Sequence, residues 1–136
     1  MNTIDLTGRC AIITGGAQGI GLAIANRLLT SGASVSLWDV DQQFLRAAVD
    51  ELQSQSNVHS CSVDVTDADA VHQAASATAQ ALGRIDILVA SAGITGPNVK
   101  GWDYPPEAWR RVIDVNLNGP FYCCRTLIPY MMKQDY

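Results

Sequence analysis

A glycine-rich turn near the N-terminus carries the clearest chemical signal: Thr14-Gly15-Gly16-Ala17-Gln18-Gly19-Ile20-Gly21. It follows an apolar run at 11–13 and precedes a helical pattern, so it joins a predicted strand to a predicted helix. Backbone N–H groups and the positive end of a helix dipole attract phosphate at such a junction. A tight turn alone can also demand glycine, but the strand before it and the helix after it favour a phosphate site. We therefore predict that Gly15, Gly19 and Gly21 shape a turn that contacts the pyrophosphate of a dinucleotide, and that Gln18 and Ile20 of the same turn also bind the cofactor.

Asp39 ends a second predicted strand, about 20 residues beyond the turn, where dinucleotide-binding folds place an acidic residue. A carboxylate there accepts hydrogen bonds from both hydroxyls of the adenosine ribose. The same charge repels a 2′-phosphate, and no Lys or Arg occupies 15–21 or 40–45 to neutralise one. We therefore predict NAD rather than NADP as the cofactor, with Asp39 and Val40 in its site. The alternative is that Asp39 only caps the second helix.

Two further segments end strands at the same predicted edge of the sheet. Asp64 and Val65 follow the third strand, where a carboxylate could reach the amino group of adenine. Ser91, Ala92 and Gly93 close the fourth strand, where small side chains let a cofactor lie across the sheet. Both segments have ordinary alternatives, because Asp64 could bond nearby backbone in a turn and 91–93 could be a plain tight turn.

Predicted strands and helices alternate along the whole chain. The strands are expected at 9–14, 34–39, 58–64 and 85–91, and the first three helices at 19–31, at 42–54 and from an N-cap at Thr66 to Gly83. After a Gly- and Pro-rich loop at 92–104, Pro105-Pro106 begin a long final helix that Gly119-Pro120 and Pro129 should bend. The pattern predicts one α/β domain over 1–136, a truncated Rossmann-type doubly wound parallel sheet of order 3-2-1-4, with the ligand where the order reverses.

Apolar residues at helical spacing predict which helix faces are buried. In the second helix, five residues are expected to face the core: Phe44, Leu45, Ala48, Val49 and Leu52. In the third helix the corresponding residues are Val71, Ala74, Ala75, Thr78 and Leu82.

The bulk properties exclude several classes of protein. A net charge of −4 with scattered basic residues argues against a nucleic-acid partner, and no apolar run approaches a membrane span. The N-terminal residues lack the basic start and apolar run of a secretory signal, which predicts a cytoplasmic protein. No metal site or disulfide is expected, because the four cysteines form no C-x-x-C pair and the two histidines lack ligand spacing. These residues are Cys10, Cys61, Cys123, Cys124, His59 and His72.

Together these motifs resemble the short-chain dehydrogenase/reductase family, in the branch of 3-oxoacyl-carrier-protein reductases and sugar or polyol dehydrogenases. The resemblance rests on the turn at 14–21, on Asp39, on the D-V pair at 64–65 and on a partial match to the family's N-N-A-G segment at 90–93. It implies NAD-dependent hydride transfer between nicotinamide and an alcohol/ketone pair. It also implies a supporting catalytic role for Asn116, which in the family kinks its helix and holds a water near the catalytic lysine. A helix kink alone is the ordinary alternative.

The family's proton-transfer pair, a Tyr followed four residues later by a Lys, has no counterpart in this sequence. Gly96 and Pro129 stand four residues before Lys100 and Lys133, and no fifth strand follows the last helix. We therefore expect a cofactor-binding fragment of an oxidoreductase, inactive alone. A non-catalytic dinucleotide-binding or interaction module is the alternative, and the resemblance also suggests a homo-oligomer packed through the long final helix.

Overall fold

The computed structural model describes residues 2–52, 57–134 and 136 as alternating strands and helices. The strands are β1 (Cys10–Thr14), β2 (Ser34–Asp39), β3 (Val58–Ser62) and β4 (Ile87–Ala90). The helices are α1 (Gly19–Thr30), α2 (Gln42–Leu52), α3 (Ala68–Leu82), α4 (Pro106–Ile113) and α5 (Gly119–Met132). All strands pair in parallel in the order β3-β2-β1-β4, which confirms the predicted doubly wound sheet.

Helices cover both faces of the sheet because successive side chains of a strand point to opposite sides. On one face, Ala11 and Ile13 of β1 pack with buried residues of α1 and α2. On the other face, Ile12 of β1 packs with α3 and α5. Since both faces are occupied, the carboxyl edge of the sheet is where a ligand can reach the ends of several strands.

The inner strands match the prediction, whereas the boundaries of β3 and β4 were predicted too wide. β3 ends at Ser62 rather than at 64, because Asp64 accepts hydrogen bonds from Thr66 in a turn. β4 begins at Ile87 rather than at 85, since the Asp86 carboxylate, not a strand carbonyl, accepts the N–H of Cys10. Residues 53–54, assigned to the second helix from the sequence, lie outside the described residues.

Two expectations about helices α2 and α3 are wrong. Asp67, not Thr66, is the N-cap of α3, and its carboxylate accepts the N–H groups of Asp69 and Ala70 at 3.1 Å each. The Thr66 hydroxyl donates to Asp64 at 2.7 Å and is therefore engaged elsewhere. In α2, Phe44 is 47% exposed, because Leu45, Ala48 and Leu52 already form the buried stripe and Phe44 falls at its margin.

The long final helix changes winding where its sequence predicts a bend. A π-helical segment, Asp114–Asn118, joins α4 to α5, and the Gly119 N–H donates to the carbonyl of Asp114, five residues earlier. Pro120 has no N–H with which to continue the α-helical pattern. Gly119 also permits close packing, since a Cβ there would lie 2.6 Å from Cγ2 of Val65. Pro129 lies inside α5, which continues through it.

The four cysteines differ in burial. Cys10 is buried, Cys61 is partly buried in β3, and the adjacent Cys123 and Cys124 of α5 are buried and exposed respectively. No helix of the described residues has the length and apolar character needed to cross a bilayer. Across the same residues, no group of three His, Cys, Asp or Glu side chains is placed to hold a metal ion.

A hydrogen-bond network that is buried except at His59 ties α3 to β2 and β3. The Ser36 hydroxyl lies 3.1 Å from the Thr78 hydroxyl and 2.8 Å from Nδ1 of His59. The indole N–H of Trp38, a fully buried side chain, donates to both hydroxyls at 3.1 and 3.2 Å. Burial lowers the pKa of His59 below its ordinary 6.5, because the charged imidazolium is less solvated there.

We predict that this histidine makes stability depend on pH. Since the folded chain binds a proton at His59 less readily than the unfolded chain, neutral His59 stabilises the fold above pH 6.5. That contribution is lost as the pH falls below this value towards the lower pKa of the folded state. Urea unfolding between about pH 7.5 and about pH 5 should show the loss, with a slope of at most about 1.4 kcal/mol per pH unit.

His59→Gln should flatten this part of the profile, because glutamine does not titrate. His72→Gln is the matched control, since His72 is the other histidine of the sequence and is exposed on α3. If the stability of the wild type and of His59→Gln depended on pH in the same way, His59 would not be the group responsible for this pH dependence.

Candidate functional site

A groove of about 330 Å³ opens at the carboxyl edge of the sheet, where the order reverses between β1 and β4. The structure brings together most of the residues that the sequence assigns to the cofactor. Those that line the groove are Gly15, Gln18, Gly21, Asp39, Val40, Asp64, Val65, Ser91, Ala92 and Gly93. Gly19, Ile20 and Asn116 lie outside its lining.

Close backbone approach explains two glycines of the turn. Gly15 has a φ of +61°, and a Cβ on it would lie 2.9 Å from the Cα of Ala92. A Cβ on Gly21 would overlap the carbonyl oxygen of Gly15. The turn, the start of α1 and the segment after β4 therefore pack backbone against backbone, which only glycine permits.

Gly19 is glycine for a different reason. Its φ is +57°, which disfavours a side chain. Apart from its chain neighbours and the backbone of its own helix, no atom of the described residues lies within 4 Å of where a Cβ would stand. Gln18, the N-cap of α1, forms no capping hydrogen bond through its side chain, and the first turn holds no acidic residue. Ile20 is 77% exposed in that first turn. The positive end of α1 is therefore left open to an anion.

Asp39 ties the glycine turn to the end of β2. Its Oδ2 accepts the Ala17 N–H at 3.3 Å and its Oδ1 accepts the Asp41 N–H at 3.1 Å, while the Gly16 N–H donates to the Trp38 carbonyl at 3.2 Å. The alternative that Asp39 caps the second helix is wrong, because Asp41 accepts the first N–H groups of α2. A carboxylate accepts up to about four hydrogen bonds, so Asp39 retains capacity towards the groove.

Asp64 forms the ordinary turn that its sequence position allows, and it also lines the groove. Its Oδ1 accepts the N–H and the hydroxyl of Thr66 at 2.9 and 2.7 Å, as in an ordinary turn. These bonds lower the pKa of Asp64 below its ordinary 3.8, so the group is ionised at neutral pH. Its Oδ2 lies 4.0 Å from Nη2 of Arg111, and both residues line the groove.

The segment after β4 is held from two sides. The Thr14 hydroxyl accepts the Ala92 N–H at 3.1 Å. The Asn116 side chain accepts the N–H of Ile94 and donates to its carbonyl, both at 2.9 Å. Asn116 thus lies in the π-helical segment, as a kink residue would, and anchors the loop after Gly93. Its expected role in holding a water stays a prediction.

The sequence reading missed five residues that line the groove: Trp38, Val63, Ile94, Arg111 and Val115. The apolar ones resemble ordinary core positions, and nothing in their types marks a site. Arg111 and Val115 come from the final helix, which the sequence alone does not place over the strand ends. Their spacing of one helical turn is a signal that could have found them, since it sets both on one face.

Comparisons with known proteins agree with this architecture. The family model for short chain dehydrogenase matches residues 9–136. The 2-dehydro-3-deoxy-L-rhamnonate dehydrogenase (NAD(+)) of Sphingomonas sp. (strain SKA58) is 46% identical over 95% of this chain and 51% of its own length. The 7alpha-hydroxysteroid dehydrogenase of Escherichia coli (strain K12) is 35% identical over 97% of this chain and 51% of its own.

Solved structures show the same similarity. Carveol dehydrogenase from Mycobacterium avium in complex with NAD superposes with a TM-score of 0.91 at 27% identity, covering 96% of this chain and 52% of that one. NAD+-bound xylitol dehydrogenase superposes with a TM-score of 0.92 at 30% identity, covering 96% and 50%. This chain therefore spans about half the length of the relatives that it matches. On the match of its strands, helices and motifs over residues 9–136, the chain belongs to the short chain dehydrogenase family.

Proposed function

We propose that this chain is the dinucleotide-binding half of an NAD-dependent oxidoreductase that exchanges a hydride between nicotinamide and an alcohol/ketone pair. The observation that carries the proposal is the convergence of the glycine turn, Asp39 and Asp64 on one groove at the reversal point of the sheet. Relatives of known structure that hold NAD at 27–30% identity support the choice of ligand.

Each part of the groove has a binding role in this proposal. The turn at 15–21 and the open positive end of α1 hold the pyrophosphate. Asp39 accepts the hydroxyls of the adenosine ribose and Asp64 accepts the amino group of adenine. Val40, Val65 and the small residues 91–93 line the remaining surface. A bound dinucleotide would supply the hydride chemistry through its nicotinamide, and these residues would hold and orient the dinucleotide.

The glycine turn provides a sharp test of the phosphate site. Gly19→Ala should weaken NAD binding about tenfold, because a methyl group would occupy the space kept open for the pyrophosphate. Titration calorimetry measures the dissociation constant. Gly83→Ala is the matched control, since Gly83 also has a positive φ, +84°. Apart from its chain neighbours, it too has no atom of the described residues within 4 Å of a Cβ.

Both variants should lose about 1 kcal/mol of stability, since both force an L side chain into a left-handed conformation. Only Gly19→Ala should bind NAD more weakly than the wild type. Equal NAD affinity in the two folded variants would refute a phosphate contact at Gly19.

Asp39 sets the preference for NAD over NADP in this proposal. Asp39→Asn should weaken NAD binding about tenfold and reduce the difference in affinity between NAD and NADP, since a neutral amide no longer repels the 2′-phosphate. Asp50→Asn, which removes an exposed charge of α2, should change neither affinity. Tighter binding of NADP than of NAD by the wild type would overturn the preference.

A non-catalytic dinucleotide-binding module is the second candidate, because neither lysine of the sequence has a tyrosine four residues before it. We propose that the chain alone binds NAD without turnover, since loss of a proton-transfer group costs about 10²–10⁴ in rate. Incubation with NAD and a panel of secondary alcohols, followed at the absorbance of NADH, measures this. NADH formation by the isolated chain would require an acid–base group not yet identified.

A homo-oligomer packed through the final helix is part of the same proposal. Phe121, Ile128 and Met132 of α5 are exposed apolar side chains, which supports contact with a second copy.

A further inference from the structure

We infer that Arg111 is a specificity-determining residue for the dinucleotide: with Asp64 it forms a pair of opposite charge that recognises the amino-purine edge of the base. The inference rests on the proposed function, since it needs a dinucleotide in the groove. It goes beyond that function because it adds a residue from α4 and a criterion for rejecting other bases.

Arg111 is the one cation among the described residues that line the groove, where Asp39 and Asp64 supply two carboxylates. Its Nη2 lies 4.0 Å from Oδ2 of Asp64, which is too long for a hydrogen bond. The two side chains are 54% and 44% exposed, so solvent screens their attraction and the pair adds little to stability. The structure thus leaves both groups with unused hydrogen-bonding capacity facing the same groove.

The two groups differ in what they can offer a ligand. Oδ1 of Asp64 accepts two hydrogen bonds from Thr66, and these bonds fix the orientation of the carboxylate. Within the described residues Oδ2 makes no hydrogen bond, and as part of an ionised group it can only accept. The guanidinium of Arg111 can only donate, at any pH that the fold tolerates. One acceptor and one set of donors therefore stand side by side.

Adenine presents the complementary pattern, an amino donor beside a ring nitrogen that accepts. The amino group suits Oδ2 of Asp64, and the ring nitrogen suits Arg111. Hypoxanthine carries a carbonyl acceptor in place of that amino group and an N–H donor in place of the accepting ring nitrogen beside it. Its oxygen would therefore face the carboxylate, and its N–H would face the guanidinium. A site whose donors and acceptors match one base binds a base with the opposite arrangement more weakly, because donors then face donors and acceptors face acceptors without forming hydrogen bonds.

Titration calorimetry of the chain with NAD and with nicotinamide hypoxanthine dinucleotide tests the inference. The wild type should bind NAD at least about tenfold more tightly than the hypoxanthine analogue. Arg111→Gln should weaken NAD binding about tenfold and reduce this ratio, because the variant removes one of the two opposed contacts while Asp64 keeps the other. Arg111→Lys, which keeps the charge but loses the planar fork, should fall between the two.

Arg110→Gln is the matched control, since Arg110 is the exposed neighbour on α4 and lies outside the groove. Arg110→Gln should have the same affinity for NAD as the wild type and the same ratio of affinities for NAD and the hypoxanthine analogue. The unfolding midpoint of Arg111→Gln should match that of the control, because the pair is exposed.

The outcomes separate this inference from the proposed function. Binding of neither dinucleotide by the wild type would refute the proposed function itself. Binding of NAD with an unchanged ratio in Arg111→Gln would refute the role of Arg111 and leave the proposed function intact. Equal losses of NAD affinity in Arg110→Gln and Arg111→Gln would show general charge attraction instead of recognition of the base, and would also overturn the inference.

Discussion

Backbone contact at the carboxyl edge of the sheet is the constraint on which the rest of the site depends. Gly15 lies against Ala92, and Gly21 lies against the carbonyl of Gly15, so three segments meet without intervening side chains. This contact brings the turn after β1, the start of α1 and the segment after β4 to one place. Any side chain at these positions would separate the elements whose ends form the groove.

Two carboxylates at this edge accept hydrogen bonds that hold local structure and also line the groove. Asp39 accepts N–H groups from the glycine turn and from Asp41, and Asp64 accepts both polar groups of Thr66. Hydrogen bonds within the protein therefore already fix the orientation of each carboxylate at the groove. Oriented acceptors recognise a ligand at a smaller entropic cost than freely rotating ones, since less side-chain freedom is lost on binding.

The far wall of the groove depends on a local departure from regular winding. The π-helical segment between α4 and α5 carries Val115 towards the groove and Asn116 towards the loop after Gly93. Gly119 lets α5 approach Val65, which follows Asp64 in the segment after β3. The irregular turn thus connects the final helix to the same edge that the glycine turn organises, and it brings Arg111 opposite Asp64.

The sequence by itself determined the order of elements, the parallel sheet and the segments that end at its carboxyl edge. These follow from local patterns: apolar runs for covered strands, helical spacing for faces, and glycines at a strand–helix junction. Helix caps and strand ends were less predictable. Thr66 and Asp67 have competing hydrogen-bond partners within a few residues, whereas Asp86 accepts the N–H of Cys10, far away in the chain. Only the tertiary structure decided that Arg111 lines the groove, that Gly15 is required by Ala92, and that Ser36, Thr78 and His59 form one hydrogen-bond network. These relations join residues far apart in the chain, and they exist only once packing has set the distances between elements.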